Sequence, residues 1–238
     1  MNNEKEDINK RISKKLHTDL TVDSHIIQLF TFDYNQKRTV IGTDEAGRGP
    51  AAGGVFASAV CFTKRNRELV ESLAILNDSK QLSKKNREYL YEIIKNETVN
   101  STVCIDVNEI EEINILNASL KAMKLACENV IRQITYDKLM VLVDGNKMIK
   151  DFDYPQKYVI KGDSRSASIA AASILAKVTR DRYMEELDKK YPKYHWAKNA
   201  GYLTKEHLEA IDKYGLTEYH RPSFLKKHFE KQKQLSLF

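Results

Sequence analysis

Two adjacent acidic residues followed by a glycine-rich loop constrain the fold of this chain more than any other feature. Residues 40–43 read as the end of one strand, and the apolar residues 55–62, which include no glycine, read as a second strand. Between them lie Asp44, Glu45 and a loop of glycines, where backbone can approach a ligand closely. Arg48 in this loop offers a planar set of donors that suits a phosphate. The stretch therefore predicts a phosphodiester site; the alternative is an ordinary hairpin turn.

The size and charge of the chain predict one domain that meets an anionic partner. With 238 residues, 42% hydrophobic, it can bury one core with appendages rather than two full domains. The net charge of +6 favours nucleic acid, although an excess of lysine on a solvated face would give the same balance.

Cysteine usage and hydropathy place the protein in the cytoplasm. Cys61, Cys104 and Cys127 are odd in number and widely spaced, which predicts reduced core thiols rather than disulfides or a zinc site. Neither a signal peptide nor an apolar run of about 18 residues is present, so no contact with a membrane is expected. We also expect a monomer.

The two ends of the chain read as appendages. Residues 1–37 form a polar extension, partly helical, in which apolar residues recur every four positions and predict a helix without a catalytic role. These residues are Ile8, Ile12, Leu16 and Leu20. At the other end, residues 229–238 form a tail that is polar and basic until its last five residues.

Between the ends, strand-like and helix-like segments alternate. A surface helix is predicted over 64–76, and Asp78 or Ser83 could cap the helix that follows it. A long amphipathic helix is predicted over 110–136, and an Ala- and Ser-rich helix that can approach a sheet closely begins near residue 166. The further strands are predicted at 101–107, 138–143 and 158–161.

Two more acids follow such segments. Asp144 ends the strand 138–143 and precedes a glycine, which is also a common turn signal. Asp163 lies at the start of the next helix, where its other role would be an N-cap. Asp181, several turns into that helix, is interpreted as the partner in a structural ion pair. Residue types and spacing alone indicate a metal-dependent nucleic-acid enzyme.

Six short motifs, in order, resemble those of the type 2 ribonucleases H (ribonuclease HII). They are GTDEAGRGPAAGGV, DSKQLS, VDGN, KGDS, GYLTKEH and HRPSF, and the resemblance covers about residues 39–224. The resemblance implies an α/β fold, with a ribonuclease H-like mixed sheet flanked by helices and a C-terminal helical subdomain. It places the catalytic domain at 38–228.

The same resemblance implies the chemistry and its residues. Two Mg²⁺ or Mn²⁺ ions would be held by four carboxylates, those of Asp44, Glu45, Asp144 and Asp163. Because successive strand residues point to opposite faces, we expect the chain to leave strand geometry at Glu45. The activity implied is cleavage of the RNA strand of RNA/DNA hybrids, and 5′ to single ribonucleotides in duplex DNA, in DNA replication and repair.

Substrate contacts are implied in three further places. Ser79 and Lys80 of the DSKQLS motif would face the nucleic-acid backbone. The 2′-hydroxyl that marks a ribonucleotide would be sensed by Gly47, Arg48, Gly49 and Tyr202. Tyr202 could instead be ordinary amphipathic packing, and no ligand role is assigned to His195, His207 or His220.

The last five residues, QLSLF, resemble the pentapeptide with which bacterial replication and repair proteins bind the DNA sliding clamp. The residues concerned are Gln234, Leu235, Leu237 and Phe238. Apolar anchors at the end of a polar tail are a usual form of peptide that binds a groove. The alternative is that the tail folds back on its own domain.

Two other readings of the whole chain remain. Type 3 ribonuclease H shares the fold but differs around the glycine motif and usually carries another N-terminal domain. A catalytically silent nucleic-acid-binding module would not need all four acids.

Overall fold

A computed structural model describes residues 24–135 and 138–235 of the chain. The strands are β1 (Thr39–Ala46), β2 (Val55–Cys61), β3 (Val99–Ile105), β4 (Leu139–Asp144) and β5 (Gln156–Val159). The helices are α1 (Ser24–Tyr34), α2 (Arg67–Ser72), α3 (Lys84–Glu97), α4 (Val107–Ile113), α5 (Ile115–Ile131), α6 (Ala167–Lys190), α7 (Trp196–Asn199), α8 (Lys205–Tyr214) and α9 (Pro222–Leu235). Single 3-10 turns occupy Ser79–Gln81, Gly162–Ser164 and Pro192–Tyr194.

The five strands form one mixed sheet in the order β3-β2-β1-β4-β5. β2 is antiparallel to β1 and β3, whereas β4 is parallel to both β1 and β5. The two parallel neighbours β1 and β4 therefore end at the same edge of the sheet. This confirms the predicted α/β architecture.

Helices cover both faces of the sheet. α5 packs its buried face on β1 to β3, and α6 packs on the opposite face together with α1 and α3. The predicted close approach of the Ala- and Ser-rich helix is confirmed at Gly42. A methyl group on Gly42 would lie 2.2 Å from the carbonyl carbon of Ser168, so no larger residue fits there.

Two predicted helices differ from the observed ones. The helix expected over 110–136 is broken into α4 and α5 at Asn114, whose φ of 65° is left-handed and whose side chain caps α5. Asparagine tolerates this conformation and competes for backbone donors, which explains the break. The helix expected over 64–76 shortens to α2. Ser83 caps α3 as predicted, whereas Asp78 caps the 3-10 turn before it.

The predicted N-terminal extension includes a helix that packs on the domain. The apolar stripe from Ile8 to Leu20 lies outside the described residues. α1, however, buries Ile26, Leu29 and Phe30 in the same cluster as α6. The boundary at residue 38 stays a prediction, and α1 packs on the part of the chain that follows it.

The cysteines and the hydropathy of the helices fit only part of the prediction. Cys61 and Cys127 are buried thiols, but Cys104 is exposed on the edge strand β3. None of the helices within 24–135 and 138–235 is long and apolar enough to cross a membrane.

Candidate active site

Asp44 and Glu45 lie on the part of β1 that pairs with β2 but no longer with β4. Pairing with β4 stops at Thr43, while pairing with β2 continues to Ala46. The predicted departure from strand geometry at Glu45 is therefore wrong, because β1 stays regular on its β2 side. The Glu45 amide donates to the Asp44 carboxylate at 2.7 Å.

Asp144 and Asp163 reach the same edge from β4 and from the turn before α6. Asp144 is the last residue of β4, and its Oδ1 accepts a hydrogen bond from the Gly162 amide at 2.7 Å. Asp163 lies within the 3-10 turn 162–164 and is not the N-cap of α6, a position that Ser166 occupies. Its carboxylate is thus not engaged in capping that helix.

The four carboxylates form an electrostatically strained cluster. Burial raises the pKa of Asp44 well above its usual range, and the charges of Glu45 and Asp144 raise it further. Burial likewise raises the pKa of Glu45 and of Asp144, and the pKa of Asp163 is raised by burial and by the charge of Asp144. The edge of the sheet thus holds more negative charge than its protein neighbours balance.

This donor set suits a divalent cation. Carboxylate oxygens are the hard ligands that Mg²⁺ and Mn²⁺ prefer. Within 24–135 and 138–235, no three His, Cys, Asp or Glu side chains are grouped so that together they could hold a metal ion. Mg²⁺ is usually bound by one or two carboxylates plus waters and substrate phosphates, so a complete cage is not required.

Lys80 and Ser79 lie beside this cluster but differ in exposure. Lys80 is exposed, and its charge lowers the pKa of Glu45, Asp144 and Asp163. Ser79 is only 4% exposed and its hydroxyl pairs with that of Ser173 at 2.9 Å. The Ser79 hydroxyl is therefore engaged within the protein, and its contact with the nucleic-acid backbone stays a prediction.

The glycine loop and Tyr202 are brought together as predicted. Gly47 has a φ of +99°, and a methyl group there would lie 2.2 Å from Nε of Arg180. A methyl group on Gly49 would lie 3.2 Å from Cε1 of Tyr202, a residue that is 52% exposed. Arg48 is exposed and donates to Glu45 at 3.2 Å, which links the loop to the carboxylate cluster.

Two buried arginines hold this loop from beneath. Arg180 donates to the carbonyls of Ala52 (3.0 Å), Gly54 (3.3 Å) and Ala200 (3.1 Å). Arg221 donates to Pro50 at 2.8 Å and twice to Gly53, at 2.9 and 2.6 Å. Burial lowers the pKa of both guanidinium groups, that of Arg221 to about 9. Carbonyl dipoles rather than ion pairs stabilise these charges.

A neutral histidine pair holds the segment that carries Tyr202. A carbonyl can only accept, so Nδ1 of His207 donates to the Tyr202 carbonyl at 2.9 Å. Nε2 of His207 then accepts from Trp196 at 3.0 Å and from His220 at 3.2 Å. Nδ1 of His220 accepts from the Thr217 amide at 2.9 Å. Both histidines are thus structural.

The remaining predicted residues are peripheral. Asp181 pairs with Lys177 at 2.6 Å, which confirms its structural role. Gln234 and Leu235 end α9, and residues 236–238 of the proposed clamp peptide lie outside the described residues.

Together these features define a class of protein. A mixed sheet with acids at the ends of adjacent parallel strands, beside a glycine-rich loop, is the arrangement of a ribonuclease H-like metal-dependent nuclease.

Comparisons with known proteins agree with this class. The family model for ribonuclease HII matches residues 41–232. The ribonuclease HII of Christiangramia forsetii is 47% identical over 192 residues, which cover 80% of this chain and 92% of that protein. The ribonuclease H2 structure from Pyrococcus horikoshii superposes with a TM-score of 0.61 at 25% identity, over 81% of this chain and 98% of that one.

A third match is the structure of the PCNA:RNase HII complex from Archaeoglobus fulgidus. It has a TM-score of 0.62 at 23% identity, over 77% of this chain and 93% of that chain. At this identity the likeness shows the fold alone.

The chain belongs to the ribonuclease HII family. It is accordingly a hydrolase that cuts RNA, and the readings as a type 3 enzyme and as a silent binding module are set aside.

Several functional residues escaped sequence reasoning. Arg180 lies four positions from both Ala176 and Met184, on the buried side of α6. A charged residue on the apolar side of a predicted helix is the sequence signal that could have identified it. Arg221 lay in a recognised motif, HRPSF, whose role had not been assigned. Ser173, which pairs with Ser79, gave no signal because small residues on a helix face usually serve packing alone.

Proposed function

We propose that this protein cleaves the RNA strand of RNA/DNA hybrids and also cuts 5′ to a single ribonucleotide embedded in duplex DNA, leaving a 3′-hydroxyl. The observation that supports this most directly is the placement of four carboxylates beside a glycine loop that contacts an exposed tyrosine. The carboxylates are suited to hydrolysis of the phosphodiester, and the loop with the tyrosine is suited to selecting the bond that is cut.

In this proposal Asp44, Glu45, Asp144 and Asp163 hold two divalent ions, Mg²⁺ or Mn²⁺. When bound, the ions activate a water and stabilise the leaving oxygen. The protein's own part is to hold Asp144 through the Gly162 amide. It also places Asp44 close to the charges of Glu45 and Asp144, and a bound cation would offset the repulsion among these carboxylates. Lys80 is exposed beside the cluster, where it can meet a phosphate. Ser79 supports this element from below through Ser173.

Ribose recognition is assigned to the loop and Tyr202. Gly47 and Gly49 let the backbone approach the sugar, Arg48 meets a phosphate, and the Tyr202 ring lies against the junction. The 2′-hydroxyl both donates and accepts, so backbone groups at close range can distinguish it from hydrogen. The catalytic unit proposed is the packed chain through residue 228, acting as a monomer.

The decisive experiment uses a DNA duplex with one ribonucleotide, with the product ends mapped to the nucleotide. We expect a single cut immediately 5′ to the ribonucleotide in Mg²⁺ or Mn²⁺ and none in EDTA. An all-DNA duplex of the same sequence should stay intact. A cut 3′ to the ribonucleotide, or cleavage only within long hybrids, would contradict the proposal.

We further propose that the tail docks on the bacterial sliding clamp through Gln234, Leu235, Leu237 and Phe238. The tail would keep the enzyme on newly made DNA, where ribonucleotides are misincorporated. An archaeal relative has been solved in complex with PCNA, which supports a clamp as the kind of partner. Deleting residues 234–238 should abolish capture by the clamp yet leave cleavage of a short duplex unchanged. Loss of activity on the short duplex would instead mean that the tail belongs to the fold.

A further inference from the structure

A buried aspartate near the end of α1 contacts the start of α6. Asp33 has no exposed surface, and its partners are hydroxyl and amide donors. Its Oδ1 accepts from the Ser166 hydroxyl at 2.5 Å. Its Oδ2 accepts from the Ser168 amide at 2.9 Å and from the Ser168 hydroxyl at 2.7 Å. All these donors belong to the first turn of α6 or its N-cap.

From there a short chain of hydrogen bonds reaches the carboxylate cluster. Ser166 caps α6 through the Ile169 amide at 3.2 Å, and its own amide donates to the Gly162 carbonyl at 2.8 Å. The Gly162 amide donates to Asp144 at 2.7 Å. Asp163 is the next residue in the same turn. The turn that presents one acid and holds a second is therefore linked to Asp33.

The same part of α6 also presses on the strand that carries Asp44. The backbone of Ser168 lies so close to Gly42 that a methyl group there would be 2.2 Å away. Gly42 is two residues before Asp44 on β1. The start of α6 is thus held between Asp33 on one side and β1 on the other, and a shift there would reach three of the four carboxylates.

We propose that Asp33 is a positioning residue for the active site, which fixes the 162–164 turn and the first turn of α6. The inference rests on the proposed function, in which these carboxylates hold the divalent ions. The ribonuclease HII family model begins at residue 41, so this contact comes from a segment that precedes the matched part of the chain. Residues outside the family's matched region thereby contribute to its site.

Both oxygens of Asp33 accept hydrogen bonds, each from a different serine. The oxygen that faces Ser168 has to accept, because a backbone amide can only donate, whereas the Ser166 hydroxyl would have to give up its donation to face an amide nitrogen. Asp33→Asn keeps the shape of the side chain but loses one of these two acceptors. It therefore separates the alignment of α6 from the packing of α1.

The test compares Asp33→Asn with Ile26→Ala in the full-length protein. Ile26 is a fully buried residue of α1 that packs in the α1–α6 cluster but has no part in the hydrogen-bond chain. We expect Asp33→Asn to weaken Mg²⁺ binding, measured by calorimetry without substrate, by about tenfold, the lower end for residues that orient metal ligands. The kcat should fall by about the same factor with KM for the duplex unchanged.

Ile26→Ala should lower the melting temperature while leaving Mg²⁺ affinity and kcat at the wild-type level. Ser168→Ala removes one donor to Asp33 and should act in the same direction as Asp33→Asn, which keeps the proposal testable if the latter folds poorly. The Asp33→Asn and Ser168→Ala effects on Mg²⁺ affinity should not add, because both act through one contact.

Wild-type Mg²⁺ affinity and kcat in both Asp33→Asn and Ser168→Ala would overturn the inference and leave Asp33 as an anchor of α1 alone. A failure of the proposed function would look different. In that case Asp144→Asn and Asp163→Asn would themselves bind Mg²⁺ and cleave like the wild type.

Discussion

The two halves of the site manage buried charge in opposite ways. At the carboxylate edge, negative groups lie close to one another and their pKa values are raised by burial and mutual repulsion. Under the glycine loop, Arg180 and Arg221 carry buried positive charge, and six hydrogen bonds to carbonyls accommodate it. In the proposed function the first half takes up a cation, whereas the charges of the second half are already met by protein carbonyls.

Because of this difference, substitutions in the two halves should have different effects, one on activity and the other on stability. Removing a charge from the carboxylate edge should relieve repulsion while destroying function. Removing a charge from beneath the loop should leave carbonyls unsatisfied and destabilise the fold. The substitutions below test whether each half follows its own rule, from the largest expected effect to the smallest.

Asp144→Asn should reduce cleavage by about a thousandfold or more, because it removes a metal-binding charge that water cannot replace. The same variant should be at least as stable as the wild type in urea without Mg²⁺, since repulsion with Asp44 is relieved. Asp44→Asn and Asp163→Asn should behave alike. Asp181→Asn, which loses only a pair with Lys177, should remain active. Equal loss of activity in Asp181→Asn would contradict the assignment.

Arg221→Met should destabilise the protein by about 3 kcal/mol in urea unfolding, because the carbonyls of Pro50 and Gly53 lose their donors in a buried site. The control is Arg48→Met, on the same loop but exposed, which should change stability by less than about 0.5 kcal/mol. If Arg221→Met were as stable as the wild type, the hydrogen bonds from Arg221 to these carbonyls would not contribute to stability.

Tyr202→Ala should lower turnover on a duplex with a single ribonucleotide by about tenfold, as expected when a stacking contact is lost. Cleavage of a continuous RNA/DNA hybrid should fall less. Gly49→Ala tests the spacing itself, because its new methyl group would press on Cε1 of Tyr202 from 3.2 Å. Its φ needs no glycine, so the fold should survive. Wild-type rates on both substrates for both variants would remove Tyr202 from ribose recognition.

Low pH should lower the free energy of unfolding through His220, which belongs to the histidine pair beside the glycine loop. Burial and the neighbouring His207 lower the pKa of His220 to about 4, so the folded protein keeps it neutral. Its contribution to stability is complete above the ordinary pKa near 6.5. It is lost as the pH falls from there through about 4, by about 3 kcal/mol.

Urea unfolding between pH 7 and pH 4 checks this pH dependence. His220→Asn, whose amide oxygen can accept from Thr217, should flatten it. His195→Asn provides the control, because His195 is exposed and its left-handed φ of 56° suits asparagine. An equal flattening in both variants would show that the slope arises elsewhere.

The sequence by itself determined the α/β class, the strand ends that carry Asp44 and Asp144, and the family. These followed because the periods of apolar residues and the local motifs are properties of short segments. Asp181 was interpreted as the partner in a structural ion pair, and the structure shows that pair with Lys177, four residues earlier on the helix.

Only the tertiary structure decided which buried charges support the site. Arg180 and Arg221 are separated by 41 positions yet grip the same loop, and Asp33 meets Ser166 across 133 positions. No local pattern encodes such pairs, because a buried polar group is stabilised by whatever the fold brings to it. For the same reason the pair between the hydroxyls of Ser79 and Ser173, 94 positions apart, could not be predicted.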